Sequence, residues 1–242
     1  MIYVLIGMSL TFITIGFIVT ENNAEYLLSG YNTMSKEERK KVDLKSFIPF
    51  FRKFHIVLGV SFLILGYGLN VINKNVAGIF LGVYPILAYI YFAITTSIFT
   101  GGLKTKSNKI GIFTLAGAFI FVIGLLTYGF KENKILFDSQ KVEFKGTYGE
   151  ILQTDQIKSI EIENELPNIS LKTNGFAIGE IRKGYFKTKN GEVVKLILNS
   201  EQKPYILFTK LDGTKIYYSA KEKSNKGILK ELKNKLPLSG YN

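Results

Sequence analysis

The sequence predicts an α-helical membrane domain of about four spans over residues 1–130, joined to a soluble, mainly β domain over residues 131–242. Two observations support this prediction. The long apolar runs without charged residues all lie in the first part, and the second part has short runs in which apolar and polar residues alternate. The net charge of +12 divides equally between the two parts, so both are basic.

Four stretches qualify as membrane spans by their length and their lack of Asp, Glu, Lys and Arg. A helix needs about 20 apolar residues to cross roughly 30 Å of hydrocarbon, and a charge at mid-membrane costs about 2.5–3.5 kcal/mol. The first stretch lacks the basic start and the cleavage site of a signal peptide, so we interpret it as a retained helix. The predicted spans are residues 2–20, 56–73, 76–99 and 110–130.

The basic residues in the links between these spans predict the orientation. The first link, residues 21–55, is rich in Lys and Arg, whereas the short second link has only Lys74. The third link carries Lys104, Lys106 and Lys109. Because cytoplasmic links are enriched in basic residues, we expect the first and third links inside. Four spans then place the amino terminus and the β domain outside the cytoplasm.

The first link contains signals of its own. Ser35 and Glu38 have the spacing of a capping box, which predicts the start of a helix, and Pro49 is expected to end that helix. The stretch Leu28–Lys41, LSGYNTMSKEERKK, resembles the signature of a family of small bacterial membrane proteins known as domain of unknown function 3784. That resemblance covers roughly residues 1–100 and implies no activity.

Aromatic and basic residues alternate at the end of the first link. Phe50, Phe51 and Phe54 are interleaved with Arg52 and Lys53. Aromatic rings can lie at headgroup depth while basic groups meet lipid phosphate. The pattern therefore predicts a lipid or anion contact through Arg52 and Lys53, and the alternative is an ordinary polar flank before a span.

The second part has the pattern of a small β domain that ends in a helix. About seven short runs with apolar residues at every second position predict strands. Turns are expected at Asn174-Gly175, Asn190-Gly191 and Asp212-Gly213, since these dipeptides accept positive φ. The segment 224–236 has its apolar residues on one face, which predicts an amphipathic helix that Ser224 caps and Pro237 ends.

Strands in a meander followed by one helix match a pleckstrin-homology-like (PH-like) barrel, in which the helix plugs one open end. The stretches Glu165–Phe186, Lys195–Asn199 and Pro204–Phe208 resemble bacterial PH-like domains attached to membrane spans. The resemblance covers about residues 132–236. It implies a fold and an interaction role rather than a reaction, and no ligand residue is carried over from it.

Basic residues near the predicted turns form a second candidate contact with a lipid headgroup or another anion. They are Lys172, Arg182, Lys183 and Lys187. The alternative is a solvated strand face. Nucleic acid is not expected as a partner, because the domain is tethered to a membrane.

No pattern in the sequence predicts catalysis. The chain has no Cys and a single His, His55, which lies at a predicted membrane boundary. We therefore expect no enzyme activity, no catalytic residue, no metal site and no cofactor. The expected function is a non-catalytic binding or scaffolding role at the bacterial inner membrane, with lipid, a protein partner or self-association through the spans. The alternative is a toxin-immunity or stress-resistance protein that acts through its spans, which a weak likeness of the first link to such proteins suggests.

Overall fold

The computed structural model describes residues 1–100 and 106–236. The chain divides into two compact units, one ending at Gly124 and the next beginning at Leu125. Of the sequence features discussed above, Lys104 in the third link and Pro237 after the final helix lie outside the described residues.

The first unit is built from helices. After a long helix at the amino end come three single-turn helices in the first link and then the three longest helices of the chain. The bounds are α1 Ile2–Ile18, α2 Ala24–Leu27, α3 Ser29–Asn32, α4 Lys36–Arg39, α5 Leu44–Ile72, α6 Lys74–Thr95 with a 3₁₀ turn over Thr96–Thr100, and α7 Lys106–Phe130. Residues from Leu125 onward in α7 belong to the second unit.

Within the described residues, three helices are long and apolar enough to cross a membrane: α5, α6 and, from Lys109 onward, α7. The prediction of four spans is therefore wrong in its count. Helix α1 has 17 residues, which rise only about 25 Å, less than the roughly 30 Å of bilayer hydrocarbon. It ends because Val19 turns to an extended conformation.

The first link folds differently from its prediction beyond Ser35. The capping box is present, since Ser35 Oγ accepts from the Glu38 N–H and the Glu38 carboxylate accepts from the Ser35 N–H. Pro49 does not end the helix, because α4 already stops at Arg39 and Pro49 lies inside α5. Proline there removes only the hydrogen bond to the carbonyl of Lys45, an exposed residue close to the helix start.

Small residues allow α1 and α5 to pack closely in antiparallel directions. Ser9 Oγ donates to the Gly59 carbonyl at 2.8 Å. A Cβ on Gly59 would lie 2.7 Å from the Ser9 carbonyl oxygen, and one on Gly16 would lie 3.0 Å from His55 Cβ. Helices in lipid associate through such close backbone approach, so these positions have to remain small.

The second unit contains two sheets and a final helix. The strands are β1 Lys134–Phe137, β2 Lys141–Lys145, β3 Ile151–Gln153, β4 Ile157–Glu163, β5 Ile169–Ile178, β6 Ile181–Thr188, β7 Val193–Leu198, β8 Tyr205–Lys210 and β9 Lys215–Ser219, and the helix is α8 Asn225–Lys235. The small sheet has the order β1-β2-β3, and the large sheet has the order β4-β8-β9-β7-β6-β5. The predicted mainly β architecture with a terminal helix is confirmed.

The expected meander is not what forms. Strand β9 lies between β7 and β8 and pairs with β7 in parallel. Two of the three predicted turns are present, with Gly191 and Gly213 at positive φ. The third is wrong, because Asn174-Gly175 lies within β5 at a register shift. Glycine is needed there because a Cβ on it would collide with the Lys183 carbonyl of β6.

The large sheet carries a core on each face. One face packs against the small sheet and α8, and its members include Phe144, Ile160, Phe208, Tyr218 and Leu232. The other face holds a smaller cluster that Leu166 and Ile169 help to cover, formed by Phe186, Val194, Leu196, Leu198, Tyr205, Leu207 and Tyr217. Strand alternation places these two sets on opposite sides of the sheet.

Candidate functional site

The second unit has a groove of about 380 Å³ between the edge strand β1 and helix α8. This volume lies in the range of about 300–1,000 Å³ that is typical of ligand sites. Its apolar walls come mainly from β1 and from Ile228 of α8, and the full lining is Glu132, Lys134, Ile135, Leu136, Phe137, Tyr218, Ala220, Glu222, Lys223, Ile228 and Glu231. We call this cleft the β1–α8 groove.

The hydrogen bonds of the small sheet determine which main-chain groups of β1 face the groove. Asp138 N–H donates to the Lys141 carbonyl at 3.1 Å, and Phe144 N–H donates away from β1 to the Glu150 carbonyl at 2.8 Å. In an antiparallel pair, alternate residues direct both main-chain groups to the partner strand. The even-numbered residues of β1 therefore face β2, and the N–H and C=O groups of Ile135 and Phe137 point away from it.

Tyr218 closes one end of this edge. Its hydroxyl donates to the Asn133 carbonyl at 3.3 Å, and the Ile135 N–H lies close enough to act on its pKa. Burial raises the pKa of Tyr218 to about 12, and the nearby Glu132 carboxylate acts in the same direction. The hydroxyl therefore stays protonated at neutral pH. The Ile135 C=O and the N–H and C=O of Phe137 are the other outward main-chain groups of this edge.

The charge of the groove differs from that of the chain around it. Its lining has three carboxylates, Glu132, Glu222 and Glu231, and two ammonium groups, Lys134 and Lys223. All three carboxylate residues are exposed, and no ion pair to them occurs among the described residues. The groove is therefore slightly acidic in a domain whose sequence carries a basic excess.

The four basic residues that were predicted as one anion contact in this domain do not form one surface. Arg182 pairs with Glu201 at 3.1 Å. Lys183 is completely buried, and its Nζ donates to the Lys131 carbonyl just after α7. Burial lowers the pKa of Lys183 to about 8, and the carboxylate of Glu132 partly counteracts this effect.

The remaining two, Lys172 and Lys187, are exposed on neighbouring strands. Lys172 lies opposite Phe186, whereas Lys187 lies opposite Leu171. Because directly opposed residues share a face and successive residues alternate, the two lysines point to opposite sides of the β5–β6 ribbon. A headgroup contact by either remains a prediction, but the four residues do not act together.

The second predicted contact, at the start of α5, is only partly as expected. Arg52 and Lys53 are exposed, and the Arg52 guanidinium lies 5.2 Å from the centre of the Phe17 ring. The aromatic residues turn inward instead of projecting as a membrane anchor. Phe51 is buried, and Phe50 stacks on Phe92 of α6 with ring centres 5.8 Å apart.

A polar network that the sequence did not reveal fixes the segment after α7 to the β domain. Asn133 N–H donates to Asn199 Oδ1 at 2.8 Å, and Asn199 Nδ2 donates to the carbonyls of Asn133 and Ser219 at 2.9 and 3.0 Å. Thr147 Oγ1 donates to the Tyr128 carbonyl at 2.9 Å. The last helical carbonyls lack intrahelical partners, so the Thr147 hydroxyl caps the end of α7, and Asn199 holds the segment that follows the helix. The partners are up to 66 residues apart in the sequence, which explains why pattern reading missed them.

The first unit also contains a polar pair formed by buried His55 and half-buried Tyr89. His55 lies in α5, and its Nδ1 approaches the Phe51 carbonyl at 2.8 Å. Its Nε2 lies 3.2 Å from the Tyr89 hydroxyl of α6. The rings of Phe51, Phe54 and Phe92 surround the imidazole. The sequence placed His55 at a membrane boundary but gave no sign of its partner, since the contact joins different helices.

Comparison with known proteins supports the membrane part. The sequence profile of the family described as Domain of unknown function (DUF3784) matches residues 6–100. This confirms the predicted resemblance of the amino-terminal region, and it extends over less than half of the chain. Searches of curated proteins and of solved structures gave no match.

Proposed function

We propose that this chain is a non-catalytic binding module anchored in a membrane, and that its β1–α8 groove receives the partner. The observation that supports the proposal is a groove of ligand-site volume beside the edge of β1, whose outward main-chain groups pair with no other strand within the described residues. Exposed strand edges promote pairing with other chains, and soluble proteins usually cover or blunt them. An edge left open beside a pocket is therefore suited to binding.

The proposed location is the bacterial inner membrane, with the β domain outside the cytoplasm. The basic first link favours an inside position. Three helices that are long enough to span follow this link. Three crossings place the β domain outside the cytoplasm, as the prediction with four spans also did. Only the expected side of the amino terminus changes.

The finer assignment, a PH-like interaction domain, also remains a proposal. In its favour are the mainly β composition and the terminal helix α8, whose Ile228, Leu229 and Leu232 pack into the larger core. The parallel pairing of β7 with β9 departs from the expected meander. Exposed Arg52, Lys53, Lys172 and Lys187 keep their proposed role as separate contacts with lipid headgroups.

A single-cysteine experiment tests both the groove and its side of the membrane, because the natural chain has no Cys. Leu136, 47% exposed in the groove lining, is changed to Cys in the full chain, and Leu211, 67% exposed in the turn before β9, serves as the control. In intact cells, an impermeant maleimide is expected to label both variants. A benzophenone maleimide on Leu136→Cys is then expected to crosslink a reproducible partner that Leu211→Cys does not capture.

The two readouts can fail separately. Labelling only after the cells are broken would contradict the proposed orientation. Identical crosslinking patterns from the two positions would contradict the groove as a binding site.

The second candidate is immunity or stress resistance through the spans. The contact between buried His55 and half-buried Tyr89 favours it, because ionisable groups within a membrane helix bundle are costly and often functional. In that case Tyr89→Phe would abolish the protective phenotype, whereas charge reversal at Glu222 and Glu231 in the groove would preserve it. The binding-module proposal expects the opposite result.

A further inference from the structure

We propose that the partner of the β1–α8 groove is an extended basic peptide that adds to the small sheet as a fourth strand along β1. The inference rests on the proposed function above, and it identifies the chemistry of the partner.

The main-chain geometry supports strand addition. β1 is the outer strand of the small sheet, and Ile135 and Phe137 direct their main-chain groups away from β2. The Tyr218 hydroxyl lies beside the Ile135 N–H. Three groups remain in line for a guest strand: the Ile135 C=O, the Phe137 N–H and the Phe137 C=O. An extended segment beside β1 can pair with all three, which is the recognition mode of β-strand addition.

The walls of the groove favour a short apolar segment. Ile135 and Phe137 are half-buried against the larger core. Buried Ile228 of α8 contributes on the opposite side, and Lys235 near the end of α8 lies 5.4 Å from the centre of the Phe137 ring. Alternating apolar side chains of a guest strand would contact this wall. The length of β1, four residues, limits the paired segment to a similar number.

The charged residues of the groove favour a basic peptide over an acidic one. Glu132, Glu222 and Glu231 line the groove together with Lys134 and Lys223, so carboxylates outnumber ammonium groups by one, and the three carboxylates make no ion pair within the described residues. Carboxylates arranged in this way attract Lys and Arg side chains and repel acidic ones. Anionic lipid headgroups and nucleic acid are disfavoured for the same reason, although the domain as a whole is basic.

Fluorescence anisotropy with the full chain in an uncharged detergent tests this inference. The probe is a labelled seven-residue peptide in which Val alternates with Lys, and its acidic twin alternates Val with Glu. We expect the acidic twin to bind at least tenfold more weakly. Methylation of every second amide nitrogen gives two further peptides, and only the one whose methyl groups face β1 should lose at least tenfold in affinity.

Two double variants test whether the peptide binds in the β1–α8 groove. Glu222→Lys with Glu231→Lys reverses exposed groove charges and is expected to weaken binding of the Val/Lys peptide at least tenfold. Asp155→Lys with Glu37→Lys changes exposed acids outside the groove lining and serves as the matched control. Melting curves verify that both variants remain folded.

The outcomes separate the inference from the proposed function. Equal affinity for the basic and acidic peptides, or equal loss with both methylated peptides, overturns basic strand addition. A partner that Leu136→Cys still captures in that case leaves the groove as a binding site of another kind. If no peptide binds and no partner is captured, both proposals fail.

Discussion

The two units of this chain bury opposite kinds of surface. Among the apolar helices, only 28% of the residues in the most apolar 18-residue stretch of α5 are buried, and none are buried in the corresponding stretch of α7, so large apolar side chains project outward. In the second unit, the three central strands β7, β8 and β9 bury every apolar residue that they contribute except Val193. An exposed apolar residue therefore has to be judged against the solvent of its own segment, because lipid tails provide no hydrophobic driving force to bury it.

The units also differ in what holds their elements together. Helices α1 and α5 meet through small residues and one hydrogen bond from a side chain to a backbone carbonyl. The β domain holds the segment after α7 through amide side chains that satisfy buried main-chain groups. The close contact between helices in the first unit therefore requires small side chains. In the second unit, the buried main-chain groups require side chains that can form hydrogen bonds.

The largest effect is expected from Gly59→Val in α5. The new side chain would collide with Ile13 and with the Ser9 carbonyl, and the latter is backbone that cannot rotate away. Overpacking of this kind costs about 1–3 kcal/mol, and the Ser9–Gly59 hydrogen bond would be lost in addition. We expect a strongly lowered melting temperature in detergent or a loss of folded protein.

Gly68→Val is the matched control in the same helix, since a Cβ there meets nothing within 4 Å. Equal melting temperatures for the two variants would contradict the role assigned to close packing in the first unit.

A smaller loss is expected from Asn199→Ala in the β domain. The substitution removes three hydrogen bonds and leaves the buried Asn133 N–H without its partner. An unsatisfied buried group costs about 1–3 kcal/mol. Asn234→Ala, on the exposed side of α8, should leave the thermal unfolding midpoint almost unchanged. If Asn199→Ala did the same, the polar network would not hold the domain to the segment after α7.

The smallest effect concerns pH. The pKa of Lys183 falls from an ordinary 10.5 to about 8 on folding, so between these values the unfolded chain binds more protons and stability rises with pH. The pKa values of Tyr217 and Tyr218 rise to about 12, which lowers stability only above pH 10. Raising the pH from 7 to 9.5 should therefore stabilise the natural chain by on the order of 1 kcal/mol relative to Lys183→Met.

Melting curves of both proteins at the two pH values measure this difference. If the difference between the two thermal unfolding midpoints were independent of pH, Lys183 would not titrate in this range. Interactions other than the Lys131 carbonyl would then stabilise its buried ammonium group.

Much of the fold could be predicted because periodicity is a local property. The capping box at Ser35, the amphipathic helix capped by Ser224 and the turns at Gly191 and Gly213 depend on residues within a few positions of each other. The pairing of β9 with β7 could not be predicted, since alternation identifies a strand without choosing its neighbour. For the same reason Asn174-Gly175, a strong local turn signal, became part of a strand.

The candidate site was less accessible to prediction. Basic residues were the visible signal, and the structure buries Lys183, pairs Arg182 with Glu201 and separates Lys172 from Lys187. The β1–α8 groove brings together Glu132 and Glu231, which are almost a hundred residues apart in the sequence. Neither residue stands out in its own segment.

Composition alone shows that one part of the chain is suited to lipid and the other to water, because the solvent preference of a segment follows from the residues that it contains. The spacing of apolar residues also indicates where most helices and strands lie, since it depends only on residues that are close in the sequence. The folded structure was needed to establish that α1 packs along α5, that β1 is the outer strand of its sheet beside α8, and which charged residues line the groove there. Those features depend on contacts between distant segments, whose free energies arise only when the chain has folded.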